Sequence, residues 1–196
     1  MKNRELATQA IDDIWRSLDS LFDNLTSKRP VEFSDKLDAL KASTFIQENC
    51  PEDLTLKQEV ISDLEKIISD KTIIASSTSS FLPSELQKGC IQPERIIVGH
   101  PMNPPHLIPV VEIVLGKVKN QEIADRAKSF YHCLQRVPIQ IKKETRGHLA
   151  NRLTSALFRE AVYLISEDIA DVEDVDAVIS NGPGSVSYTH LRAHET

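Results

Sequence analysis

His100 and Glu112 are the residues whose types and placement most suggest chemistry. His100 directly follows the apolar run Ile96-Ile97-Val98-Gly99, and Glu112 interrupts the apolar run Val110-Val111-Glu112-Ile113-Val114. A carboxylate inside an apolar strand is costly unless it has a partner. Histidine is a suitable one, because a carboxylate fixes the imidazole tautomer and stabilises its protonated form, the arrangement of a general base. An unrelated loop histidine and edge-strand glutamate would give the same pattern. The hydroxyl cluster Ser76-Ser77-Thr78-Ser79-Ser80 also follows an apolar run. Its hydroxyls suit a substrate oxygen or a cofactor amide, and equally a polar turn with a helix cap. Asn151, on a helical pattern, says little by itself.

These residues need elements to hold them. Helical spacing runs from Leu6 to Leu25, and again from Leu56 to Ile68. Val31-Glu32-Phe33 has the composition of a short strand, with Ser34-Asp35 as N-cap of a short helix through Leu40. Further strands are expected at Thr44–Gln47, Thr72–Ala75, Arg95–Gly99, Val110–Val114 and Ile139–Ile141. Helices are expected near Pro83–Lys88, closed by Gly89, and from Ile123 to Leu134. This alternation implies an α/β fold around a mostly parallel sheet, whose ligand crevice lies at the carboxyl ends of the strands. From about Gly147 the pattern becomes helical only, with Leu149, Leu153, Leu157, Ala161 and Leu164 on one face and another helix starting near Asp171. The boundary is therefore placed at residue 145.

Composition narrows the class. The 196 residues are 40% hydrophobic and 27% charged, with a net charge of −6 and no basic cluster, which argues against a nucleic-acid partner. No stretch approaches the roughly 20 apolar residues of a membrane span, and Met1-Lys2-Asn3-Arg4-Glu5 leads into an amphipathic pattern, not a signal core. Cys50, Cys90 and Cys133 fit neither a disulfide framework nor a metal site, so a reducing cytoplasm is expected.

Five motifs in order resemble one family, the 3-hydroxyacyl-CoA dehydrogenases and their small-substrate relatives. Ile46-Gln47-Glu48-Asn49-Cys50-Pro51-Glu52-Asp53 with Lys57 resembles its "E…PE…K" segment, and Ser76–Ser80 its "S-N-T-S-S" loop, with Ser77 in place of Asn. Gly99-His100-Pro101-Met102-Asn103-Pro104 resembles "H-x-x-N-P", and Val111-Glu112-Ile113-Val114 resembles "V-E-x-V". Gly147-His148-Leu149-Ala150-Asn151-Arg152-Leu153 resembles "G-F-x-x-N-R-L", with His148 replacing the aromatic. The Ser-rich loop, Pro104-Pro105 and Ile108-Pro109 are most similar to the lambda-crystallin/L-gulonate 3-dehydrogenase and L-carnitine dehydrogenase branch.

The resemblance implies an NAD-dependent oxidoreductase acting on the 3-hydroxyl of a small hydroxy acid, a homodimer when full-length, in a family tied to fatty acid metabolism. Alternatives are a 3-hydroxyacyl-CoA dehydrogenase, or a non-catalytic binding module on the same scaffold. By the same resemblance, His100 is the general base and Glu112 its orienting partner, while Ser79 and Asn151 bond the substrate oxygen. Glu52, Lys57, Ser77 and Asn103 fall on the cofactor side. No metal is implied.

Family members begin with a strand, a Gly-x-Gly-x-x-Gly turn and a helix that grips the pyrophosphate. No glycine precedes Gly89, so that fingerprint and the first two strands are missing. In the family's strand order, 3-2-1-4-5-6, their absence leaves the strand at Phe45–Gln47 with an open edge. The chain is therefore expected to be an incomplete Rossmann-type sheet, residues 1–145, followed by the start of a helical C-terminal domain, residues 146–184. Taken alone it should be inactive. Val186–Thr196 resembles one reading frame of a common transposase adapter, so 185–196 is read as a non-native tail.

Overall fold

The computed structural model describes residues 5, 8–13 and 32–182. Most of the helix expected from Leu6 to Leu25, and the tail from residue 185, lie outside the described residues; Glu5 and residues 8–13 are helical. The chain divides into two compact units after His148.

Among the described residues the first unit has five strands: β1 (Phe45–Glu48), β2 (Ile73–Ser76), β3 (Ile96–Pro101), β4 (Val110–Val114) and β5 (Val137–Ile141). They lie side by side in sequence order. β1–β2, β2–β3 and β4–β5 pair parallel, whereas β3 and β4 pair antiparallel. The single antiparallel pair is possible because only a short loop separates β3 from β4, and a parallel return needs a crossover of a dozen or more residues.

Among the described residues, three α-helices of this unit follow the first strand. α1 (Leu54–Glu65) starts at Asp53, whose side chain accepts from the Leu56 amide at 3.0 Å. α2 (Pro83–Leu86) is a single turn followed by Gly89, whose φ of +79° suits glycine. α3 (Gln121–Cys133) is capped by the Asn120 side chain, which accepts from the Glu122 amide. Because side chains alternate along a strand, each strand feeds two cores. Ile46, Ile74, Ile96, Val98 and Val114 pack with Ile61 and Leu64 of α1 and Leu86 of α2. Ile73, Ala75, Ile97, Val111 and Ile113 pack with Ile123, Ala124, Ala127 and Tyr131 of α3. The sheet is thus a layer between helices, which explains why β2 is buried at every residue.

Two local expectations change. Of the strand expected at Val31-Glu32-Phe33, Val31 lies outside the described residues, and Glu32 and Phe33 belong to no strand. Ser34 does not cap a helix at once: its hydroxyl accepts from the Lys36 amide at 3.0 Å, and only a 3-10 turn follows, over Leu37–Leu40. The strand β5 also begins earlier than expected, at Val137.

The second unit contains α4 (Ala150–Ser166) and α5 (Val172–Asn181). Leu153, Phe158 and Val178 on these helices are exposed.

Candidate active site

On one face of the sheet each of four strands changes from apolar to polar at the same end. Ile46 gives way to Glu48 on β1, Ile74 to Ser76 on β2, and Val98 to His100 on β3. On the antiparallel β4 the change runs backwards, from Val114 to Glu112. Period-two alternation therefore places a buried row of polar side chains at the carboxyl ends of β1, β2 and β3.

His100 and Glu112 are direct cross-strand partners. His100 Nδ1 lies 2.8 Å from Glu112 Oε2, and both residues are buried, at 6% and 2% exposure. An ionised carboxylate only accepts, so Nδ1 carries the proton and donates, and Nε2 is left as the basic nitrogen. The pair has the geometry of an oriented general base.

The hydroxyl loop after β2 is clamped by Glu52. Its Oε1 accepts from the Thr78 hydroxyl at 2.6 Å, the Ser80 hydroxyl at 2.5 Å, and the amides of Ser79 and Ser80 at 3.1 and 3.0 Å. Burial would raise the Glu52 pKa, but the hydroxyls of Ser80 and Thr78, the Ser80 amide and nearby Lys57 outweigh it and hold the carboxyl below its ordinary range. Ser79 is half-buried in this loop.

Lys57 is enclosed. It occupies a core-facing position of α1 in line with Ile61, Leu64 and Ile68. Its ammonium donates to both oxygens of Glu48, at 3.0 and 3.1 Å, and to the Cys50 carbonyl at 2.9 Å, with Glu52 Oε2 3.6 Å away. Glu48 also accepts from the Ser76 hydroxyl and the Cys50 amide. Ser77 lies at the mouth of this end of the sheet, where its hydroxyl donates to Asn49 and accepts from Gln47 Nε2 at 2.8 Å. Asn103 is exposed on the loop between β3 and β4. Asn151 lies in the first turn of α4, in the second unit.

Sequence reasoning singled out neither Glu48 nor His148 as a site residue. The signal for Glu48 was an acid two residues after Ile46 in an apolar run, the same signal that marks Glu112. His148 is fully buried, its ring centroid 5.3 Å from that of His100, and its Nε2 is 3.1 Å from the Thr78 carbonyl. Among the described residues no group of three His, Cys, Asp or Glu side chains is placed to hold a metal ion.

Residues 3–145 match the model of the 3-hydroxyacyl-CoA dehydrogenase NAD binding domain, and residues 147–186 that of the same family's C-terminal domain. The chain belongs to the 3-hydroxyacyl-CoA dehydrogenase family. Within that family it is 42% identical over 183 residues to an L-carnitine dehydrogenase of Oceanobacillus iheyensis, covering 92% of this chain and 60% of that protein. It is 40% identical over 186 residues to an L-carnitine dehydrogenase of Bacillus cereus, covering 93% and 57%. The solved structure of 3-hydroxybutyryl-CoA dehydrogenase from Escherichia coli superposes with a TM-score of 0.80 at 26% identity, over 92% of this chain and 40% of that one. The chain thus spans about 60% of the length of the L-carnitine dehydrogenases it matches. No helix among the described residues is long and apolar enough to cross a membrane.

Proposed function

We propose that the protein carrying this chain is an NAD-dependent dehydrogenase oxidising the 3-hydroxyl of a small hydroxy acid of the L-carnitine or L-gulonate type. The observation that carries this reading is the buried His100–Glu112 pair at the carboxyl end of β3. His100 Nε2 takes the proton of the substrate hydroxyl, and Glu112 offsets the charge that the imidazole gains. Ser79, held in its loop by Glu52, hydrogen-bonds the substrate oxygen at the reacting carbon.

The chemistry of the donor set fits a nicotinamide cofactor. Ser77 and Asn49 offer a hydroxyl and an amide at the carboxyl ends of β2 and β1, on the side where such sheets bind ligands. NAD bound there would supply the hydride acceptor. Asn103 belongs to the same side in this reading. Glu52 and Lys57 belong to the cofactor side in the same reading: Glu52 holds the Ser79 loop, and Lys57 holds the Glu48 carboxylate.

The small-substrate branch is favoured by the roughly 40% identity to L-carnitine dehydrogenases, against 26% for the 3-hydroxybutyryl-CoA dehydrogenase. The full-length protein is proposed to be a cytoplasmic homodimer: the thiols are unpaired, and exposed Leu153, Leu157 and Phe158 on α4 supply apolar surface. Steady-state assays of the full-length protein with NAD and L-carnitine, L-gulonate or 3-hydroxybutyryl-CoA test the reading. Preference for one of the two hydroxy acids is expected. Preference for the CoA ester would overturn the substrate class, and turnover of none would favour a binding module.

A further inference from the structure

His148 is buried completely, yet one of its two ring nitrogens has no hydrogen-bond partner among the described residues. Its Nε2 faces the carbonyl of Thr78 at 3.1 Å. A carbonyl oxygen only accepts, so Nε2 must carry the proton, and in the neutral ring Nδ1 is bare. Protonating Nδ1 would bury a donor with nothing to donate to. The geometry favours a neutral imidazole with a fixed tautomer.

The Thr78 carbonyl lies in the loop that carries Ser79. Glu52 holds the amides and hydroxyls of that loop, and His148 holds its carbonyl from the side of the His100 ring. We propose that His148 is a positioning residue for the dehydrogenase: as a neutral Nε2–H tautomer it ties the Ser79 loop to the ring of His100, fixing the substrate-oxygen donor relative to the base. This rests on the reading of His100 as the base. An aromatic hydrocarbon at this position would pack against His100 but leave the Thr78 carbonyl without this donor.

The surroundings agree. Burial pushes the His148 imidazole below its ordinary value, and the neighbouring His100 does the same; the Thr78 carbonyl and the carboxylates of Glu112 and Glu52 oppose them without reversing the direction. At pH 6.5, the ordinary imidazole midpoint, His148 is thus mostly neutral.

Two measurements test the proposal separately from the proposed activity. Nitrogen-edited NMR of the histidine rings in this chain should show His148 with Nε2 protonated and Nδ1 bare, titrating below 6.5. The Ser79 amide resonance should shift in His148→Phe and return towards wild type in His148→Gln, whose amide nitrogen donates from a similar reach. In the full-length enzyme, His148→Phe should lower kcat/KM for the hydroxy acid roughly two- to tenfold, the worth of one neutral hydrogen bond, with the KM for NAD unchanged. His148→Gln should recover most of that loss. An Nδ1-protonated ring, titration at or above 6.5, or a Phe variant with wild-type kcat/KM would overturn the proposal. Absence of hydroxy-acid turnover in the wild-type enzyme would instead overturn the dehydrogenase reading, while the tautomer and the Ser79 shift still decide the role of His148.

Discussion

His100 and Glu112 face each other on one rung of the antiparallel β3–β4 pair, and their side chains meet at 2.8 Å between Nδ1 and Oε2. Cross-strand neighbours on one face are the closest pairs a sheet provides. The carboxylate is therefore held by the backbone ladder, without dependence on a loop.

If the pair acts as a unit, its members should not contribute independently. In the full-length enzyme His100→Ala should cost about 10²- to 10⁴-fold in kcat. Glu112→Gln should lower kcat while leaving the KM for NAD nearly unchanged. The double variant should lose much less than the product of the single losses, as groups acting together do. Multiplicative losses in steady-state kinetics would mean that the two residues work separately.

Lys57 and Glu48 form a buried ion pair, each about 1% exposed. Lys57→Met should leave the Glu48 carboxylate buried without its cation and cost about 3–5 kcal/mol. Adding Glu48→Gln should recover much of that loss, because the buried charge goes with it. Urea unfolding of the four proteins of this cycle measures the coupling. A Lys57→Met variant as stable as wild type would show that the pair contributes little.

Gly99 sits where any side chain would collide with the Tyr131 hydroxyl, and a Cβ would also come within 3.0 Å of Ala75 Cβ. Tyr131 is fixed there by its bond to Gln47 Oε1 at 2.5 Å. Gly99→Ala should destabilise the chain by about 1–3 kcal/mol through overpacking. Tyr131→Phe removes the colliding oxygen, so the double variant should be more stable than the sum of the single effects predicts. Thermal midpoints of the three variants give the answer, and simple additivity would place the clash elsewhere.

The Ser79 loop should loosen in acid. Glu52 has a lower proton affinity in the folded chain than an ordinary glutamate, so its contribution is fully present above the ordinary value of 4.5. It is lost as pH falls through the lower, folded-state value, when protonation removes the acceptor that Ser79 and Ser80 use. The two amide resonances should therefore titrate together below 4.5, and should stay unmoved in Glu52→Gln. Separate titration of the two amides would mean that the clamp is not shared.

Much of the layered sheet could be read from local pattern. Strands β1 to β5 and helices α1 and α3 follow apolar runs and helical spacing, because burial imposes its period on the residues themselves. Asp171 likewise marked the start of α5, at Val172. Glu32 and Phe33 show where that reading stops. Their composition suits a strand, but composition alone does not build one, because a strand also needs a neighbour to pair with.

For the site, the sequence by itself marked the chemical types: an acid inside an apolar strand, a histidine at a strand end and a hydroxyl cluster after another. Family motifs then assigned roles to them. Tertiary structure alone decided which of these groups touch. Residues twelve apart in sequence met because a short loop forced β4 to run antiparallel to β3, which set Glu112 opposite His100. Lys57 went inward because its helical position faces the core, where the strand-end acid Glu48 supplies a charge to meet it. His148 and Thr78, seventy residues apart, were joined only by folding. Spacing along a chain constrains local conformation, whereas contact between distant side chains depends on strand order, direction and register.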